Sequence, residues 1–217
     1  MNANERILDM AEQLFAERGP ARTSLRAITA AAEVNLASVH YYFGSKAGLI
    51  KAVFERRIKP MNAERLRRLE QLHQRHGEII PLESLIEAFI APALGLSRDP
   101  KHGGEYFIRI LGRTYTDPSS PLEAYLQELH KDVAERFRTA FQSALPQLDH
   151  DELYWRLHFL VGTLAYCMSG SGTMRLIASS RLHNDTDTQQ LVHRLAVFLR
   201  GGLTAATVPH PEQPHVS

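Results

Sequence analysis

Few side chains of this 217-residue chain stand at spacings that support catalysis. The single cysteine, Cys167, lies nine residues after His158 on what reads as one helix. At about 1.5 Å of rise per residue they are roughly 13.5 Å apart, too far for direct proton transfer. His73 and His76 stand at i and i+3, a spacing that can hold a metal ion, but no third ligand is evident nearby. The run SGSGT at residues 169–173 is glycine-rich yet sits inside helical periodicity, where it reads as a helix break. A GxxxxGK[ST] phosphate loop, Rossmann glycines after a strand and a G-x-S-x-G elbow are all lacking. Neither a catalytic residue, a metal ligand nor a cofactor is therefore expected.

A different chemistry gathers in residues 23–46, which read TSLRAITAAAEVNLASVHYYFGSK. Two short apolar-faced helices joined by a tight turn form a helix-turn-helix pattern. Its second helix carries small and hydrogen-bonding side chains of the kind that meet base edges in a major groove. Leu36 and Ala37 suit thymine methyl groups, while Ser38 and His40 can hydrogen-bond bases or phosphates. Tyr41 and Tyr42 can give hydroxyls to phosphates, which fixes register without reading sequence; Tyr42 reads equally as a core aromatic. Arg26, on the first of the two helices, can pair bidentately with guanine. Lys46 adds charge at a helix N-terminus, where free amides already favour phosphate. Thr23, Ser24 and Asn35 complete the candidate set, although helix capping is their intrinsic role.

The bulk numbers agree with a DNA-binding reading without demanding it. Net charge is only +1, but residues 1–60 hold nine Lys/Arg against six carboxylates. That mild excess permits a phosphate-facing surface, and most of these charges read as solvating. No stretch approaches the roughly 18 consecutive apolar residues of a membrane span. The charged, amphipathic N-terminus does not read as a secretion signal. A lone cysteine rules out an intrachain disulfide and fits a reducing cytoplasm.

The elements that position these residues are helical throughout. Ile7, Ala11, Leu14 and Phe15 form one stripe, capped by Asn2 with Glu5 and stopped by Gly19-Pro20. Ser24 and Asn35 cap the two short helices, and Ser45 caps a longer one that Pro60 should kink or end. Further helices are expected near 82–96, 105–116, 121–145, 150–180 and 187–204. The fold class is therefore all-α, with about nine helices. The expected division is a DNA-binding domain at 1–45, an effector-binding and dimerisation domain at 46–204, and a flexible tail at 205–217.

Residues 5–54 resemble the DNA-binding domain of the TetR family of regulators. The resemblance rests on ERILDMAEQLFAERG, on Ala32, Val34, Asn35 and Val39, on the Tyr41-Tyr42-Phe43 aromatics, and on FGSKAGLIKAVF. It implies a repressor that binds a palindromic operator as a homodimer and is released by a small effector. It also aligns Arg26 with a base-reading arginine. Two positions depart from the family pattern. Glu33 stands where many members have glycine in the turn, so a positive φ there would cost about 1 kcal/mol. His40 stands where many have tyrosine, which puts the phosphate contact at that position in doubt.

One helix-turn-helix touches too few bases to be specific, so a dimer is required. Leu191, Leu195, Phe198 and Leu199 line one face of the last helix, and Leu157, Val161 and Leu164 line the helix before it. These are the expected dimer contacts; an intrachain core is the alternative. An apolar effector cavity is expected among Phe89, Tyr106, Phe107, Ile110, Tyr115, Phe137, Phe141, Phe159 and Tyr166. Arg109 and Arg113 stand ready for a ligand carboxylate or phosphate. The phrases VNLASVHYYFGSK and LIKAVFERRIKPMN are similar to the PsrA-type, fatty-acid-responsive branch, which implies a fatty acid or acyl derivative as effector. An aromatic xenobiotic is the competing effector class. A helical enzyme and a protein-binding adaptor are the competing functions.

Overall fold

The computed structural model describes residues 2–99, 104, 106–108, 110–111, 123–168 and 187–207. Its helices are α1 (Ala3–Arg18), α2 (Leu25–Ala31), α3 (Leu36–Phe43), α4 (Lys46–His76), α5 (Leu82–Ser97), α6 (Glu123–Ala144), α7 (His150–Met168) and α8 (Thr188–Leu203). The described residues between 104 and 111 are helical as well, and no strand occurs among the described residues. The all-α reading of the sequence holds.

Capping decides where the first four helices begin. The Asn2 side chain accepts from the Glu5 amide at 2.9 Å while Glu5 reaches back to the Asn2 amide, a reciprocal pair that closes two free donors. Ser24 accepts from Ala27, Asn35 from Ser38 and Ser45 from Gly48 in the same manner. The corner between α3 and α4 needs glycine twice. Gly44 has φ 70°, and a β-carbon at Gly48 would collide with the Phe43 carbonyl oxygen.

Two apolar cores follow from this arrangement. The first gathers Ile7, Ala11 and Phe15 of α1, Ile28 of α2, Val39 of α3, and Leu49, Val53, Phe54 and Ile58 of α4. Phe107, Ile108, Ile110 and Leu126 close over it from further along the chain. The second core is built from α5, α6, α7 and α8, with Met61 and Leu69 of α4 entering it. One helix thus serves both cores. Of the kink or end expected at Pro60, the end does not occur: α4 runs through it to His76. Buried side chains on both sides, Ile58 before and Met61 and Asn62 after, hold the turn together although proline supplies no amide.

Arg156 anchors the far end of the molecule. It is buried on α7, pairs with Glu152 at 2.7 Å, and donates to the carbonyls of Leu203 and Ala205 at 2.7 and 2.9 Å. A guanidinium placed on the last carbonyls of α8 satisfies acceptors that the helix itself leaves open and complements its dipole.

The turn between α2 and α3 contains the chain's one non-glycine residue of positive φ among the described residues, Glu33 at 53°. Its side chain is exposed and its β-carbon crowds the backbone. Replacement Glu33→Gly is expected to raise stability by about 1 kcal/mol. A thermal melt that shows no gain, or a loss, contradicts this account of the turn.

Candidate functional site

α3 has one face turned in and the rest turned out. Val39 is its only buried side chain. Leu36, Ala37, His40, Tyr41 and Tyr42 are exposed, and Ser38 is half-buried. Tyr41 is 82 % exposed and meets Tyr42 edge-on at 5.0 Å. Tyr42 therefore stands at the surface, and the core alternative for it fails. A helix of eight residues that exposes two tyrosines and a leucine presents an unusual amount of apolar surface to water, as a recognition surface does.

The polar groups around α3 are partly committed. Asn35 Oδ1 accepts from both the amide and the hydroxyl of Ser38, at 2.9 and 3.1 Å. His40 Nδ1 lies 3.1 Å from the Gly44 carbonyl, so Nδ1 carries the proton and Nε2 is the acceptor when the ring is neutral. Lys46 Nζ donates to the Ala21 carbonyl at 3.2 Å, spanning the loop before α2 and the start of α4. Arg26 and Ser24 are exposed on α2 and at its cap. Thr23 departs from expectation. It is buried, and its hydroxyl lies 2.9 Å from the Gly19 carbonyl and 3.2 Å from that of Leu14. That side chain closes the C-terminus of α1, and its hydroxyl is spent within the chain.

What aims α3 is an ionic clamp that charge counting had treated as solvating surface. Glu12 of α1 is 1 % exposed. Its carboxylate accepts from Arg57 Nε and Nη2 at 3.0 and 2.9 Å and also pairs with Arg56. Arg56 reaches Asp9 at 2.6 Å. Asp9 and Glu12 stand at i and i+3, so both acids share one face of α1; an arginine pair on a facing helix was the matching signal.

A second set of contacts leads from α4 toward α6. Glu55 accepts from Lys59 at 2.7 Å and from the Tyr125 hydroxyl. Lys59 and then Tyr125 hold the Glu55 carboxyl below its ordinary range, while burial, followed by Glu55 itself, pushes the Tyr125 hydroxyl up. Lys51 Nζ sits 4.8 Å above the Tyr125 ring, and Phe54 meets Phe107 edge-on at 5.8 Å. Phe107 and Ile110 were expected to line a cavity. They pack instead on the helix-turn-helix core, with Tyr106 beside them. Their positions let this segment brace α4.

Within the second core, polar groups converge at one place. Arg65 and Asn62 of α4 are buried, and His130 of α6 is largely so. Arg65 Nε donates to the Phe89 carbonyl at 2.8 Å, and its guanidinium lies 4.2 Å from the Phe89 ring centre. Asn62 Nδ2 donates to the Leu129 carbonyl at 2.8 Å and lies 3.3 Å from His130 Nδ1. Burial, and then the Arg65 charge, push His130 down to about 4. Phe89, Phe137 and Phe141 stack onward from Arg65 at 5.1 and 6.4 Å, so three expected effector residues do stand together. Arg109, Arg113 and Tyr115 lie outside the described residues.

On α7 and α8 the faces differ from those expected. Phe159 and Tyr166 are exposed on α7, as are Tyr154, Trp155 and Val161, and do not turn into the second core. Leu164, Leu195 and Leu199 were expected to face a partner but are buried in the chain's own core, with Leu157 and Leu191 packed against it. Val161 and Phe198 are exposed as expected, Phe198 by 69 %, and Val197 joins them. A helix apolar on nearly all sides gives no periodic signal of which side is outside.

Comparisons with known proteins agree with this geometry. Residues 7–53 match the model described as bacterial regulatory proteins, tetR family. Residues 87–202, more than half of the chain, match the tetracyclin repressor-like C-terminal domain. The chain belongs to the TetR family. That family is one of bacterial regulatory proteins. An HTH-type transcriptional repressor of Mycobacterium tuberculosis is 51 % identical over 49 residues, covering 23 % of this chain and 26 % of the relative. The match thus spans about a quarter of that relative's length. Solved TetR-like folds align over nearly the whole chain. The fatty acid degradation regulator FadR of Bacillus halodurans has TM-score 0.66 at 16 % identity, covering 95 % of this chain and 98 % of that one. The ketosteroid regulator KstR2 of Mycobacterium tuberculosis has TM-score 0.65 at 14 % identity, covering 93 % and 94 %. At such identities the likeness is one of fold. No helix among the described residues is long and apolar enough to cross a membrane.

The His130 environment carries a pH dependence with a definite sign. Its folded value near 4 lies below the ordinary 6.5, so the unfolded chain takes up the proton first. Stability from this site is complete above pH 6.5 and declines on acidification toward 4. Between pH 7 and 5 the expected loss is up to about 2 kcal/mol. Urea unfolding should show that slope in the native protein and a flatter one in His130→Gln; equal slopes rule the site out as its source. Glu64, held to about 2 chiefly by its hydrogen bond from Arg67, adds loss only in more acid solution.

Proposed function

We propose that this TetR-family regulator is a homodimeric repressor that binds a two-fold symmetric operator through α3 and is released by a hydrophobic effector. The observation that carries the proposal is the outward face of α3, with Leu36, Ala37, His40 and Tyr41 exposed on a helix whose only buried side chain is Val39. Arg26 supplies the charged base contact, and Ser38, Tyr41, Tyr42 and Lys46 the positioning contacts, on the pattern of direct readout set within a frame of phosphate contacts. Residues 1–45 then form the reading unit and 46–204 the sensing and pairing unit, with α4 common to both.

Pairing is supported by the exposed apolar side chains of the two helices, Trp155, Phe159 and Val161 on α7 and Val197 and Phe198 on α8. Large apolar side chains exposed on two helices suit a second copy of the same surface, since two-fold pairing would set them against one another. A dimer sets two α3 helices about one DNA turn apart, roughly 34–36 Å, and an effector that tilts α4 changes that distance. Sequence similarity to the PsrA-type branch and the aromatic row of Phe89, Phe137 and Phe141 favour a fatty acid or acyl-CoA as that effector.

A gel shift with palindromic fragments from the gene's own upstream DNA tests the operator reading. Arg26→Ala is expected to weaken binding about 5- to 150-fold and relax the preferred sequence, from about 1–3 kcal/mol per bidentate pair. Indifference to every such fragment at low salt removes the proposal. Phe198→Glu should give a folded monomer by light scattering with operator affinity lost; a variant that stays dimeric refutes this pairing surface.

A further inference from the structure

On the flank where α5 packs against α8, two acids and a histidine converge from separate helices. Glu83 and Glu87 stand at i and i+4 on α5, and His193 meets them from α8. His193 Nδ1 lies 3.8 Å from Glu83 Oε1 and 3.7 Å from Glu87 Oε1. One ligand atom from each of the three falls within 4.8 Å of the other two. Neither of the histidine separations is a hydrogen bond, whose heavy atoms stand about 2.7–3.2 Å apart. Both approach the roughly 3.3 Å between two ligands that share a tetrahedral zinc ion at about 2.0–2.1 Å. The backbone beneath them is fixed. Ile86 and Ala88, on either side of Glu87, and Val192, beside His193, are buried in the second core. The spacing between the two helices at this point is therefore set by apolar packing, as a preorganised ligand set requires.

The charges also favour a cation at this place. Like charges at i and i+4 of a helix repel one another. Arg200 Nε, 3.8 Å from Glu83 Oε2, offsets part of that repulsion and steadies the outer oxygen of Glu83. The inner oxygen, Oε1, is the one that faces His193. His193 adds positive charge only when protonated; a neutral imidazole offers a lone pair instead. Two carboxylates and one imidazole lone pair are complementary to a divalent ion. The nitrogen donor selects a transition ion over calcium and magnesium, which take oxygen ligands. We propose that Glu83, Glu87 and His193 bind one zinc ion that ties α5 to α8, with water completing its coordination. Glu83 and Glu87 are half-buried and His193 is exposed, so the ion enters from solvent without opening the core. Its binding is then an exchangeable tie between two helices that are already packed. α8 also exposes Val197 and Phe198, so occupancy steadies the helix that presents them.

The site stands apart from operator binding and needs neither DNA nor an effector. Full-length protein, freed of metal with a chelator, is titrated calorimetrically with zinc chloride at about pH 7.5, where the ligands shed their protons readily. One ion per chain is expected, with calcium and magnesium about tenfold weaker or more. His193→Ala and Glu87→Gln should each weaken zinc by about tenfold or more, since each removes a direct ligand. The pair His73→Ala with His76→Ala, at the end of α4, should leave that affinity unchanged. Thermal melts give a second reading. Zinc should raise the midpoint of the native protein and fail to raise that of either ligand variant. Each variant is compared with itself, with and without zinc, so the loss of an ion pair does not mimic the result. Both substituted side chains reach solvent, so the variants are expected to fold. No zinc binding by the native protein overturns the inference. Binding that survives His193→Ala or Glu87→Gln, or calcium held as tightly as zinc, overturns it as well.

Discussion

The carboxylate of Glu12 is the point on which the DNA-reading end depends. It is buried, it accepts from two arginines, and those arginines are neighbours on α4. A buried acid with its partners removed would be costly, by several kcal/mol, so the three groups enforce one another's positions. The result is a fixed angle between α1 and α4. Since α2 and α3 pack into the corner those two helices make, the direction in which α3 points follows from this angle. Apolar packing among Phe15, Ile28, Val39 and Phe54 supplies the bulk of the stability, but apolar contacts are forgiving of rotation and charge-assisted bonds are less so.

The same helix connects the two apolar cores. α4 starts at Lys46, whose ammonium holds the Ala21 carbonyl, and ends in the second core, running on past Pro60. Between the two ends it meets the Tyr125 hydroxyl through Glu55, the Phe107 ring through Phe54, and the His130 imidazole through Asn62. Each is a contact with a later part of the chain. A displacement of the later helices therefore has several levers on α4 and no slack loop to absorb it.

Local signals in the sequence proved reliable wherever one residue decides one boundary. Asn2, Ser24, Asn35 and Ser45 cap the helices they were expected to cap, because the cap is a contact between residues three apart. The positive φ at Glu33 was suggested only by the resemblance, whose members often have glycine in that turn. Signals that depend on the rest of the fold were weaker. Thr23 could cap or contact DNA as far as its neighbours show; only the approach of the α1 terminus turns it inward. Pro60 reads as a helix breaker in isolation, and tertiary packing overrides it. α7 is apolar on most sides, so periodicity could not tell that Leu164 turns in and Phe159 turns out. The Arg65 cluster was invisible because its members come from three helices and only α4 contributes two of them.

The chain has a single tryptophan, and it lies on the outward face of α7 in contact with the rings of His158 and Phe159. Trp155 is 53 % exposed in the isolated chain. Its indole emission originates from one site and responds to loss of the water around it. Ultraviolet fluorescence of the unlabelled protein is thus a built-in optical gauge of whatever covers that face, readable as a spectral shift upon dilution.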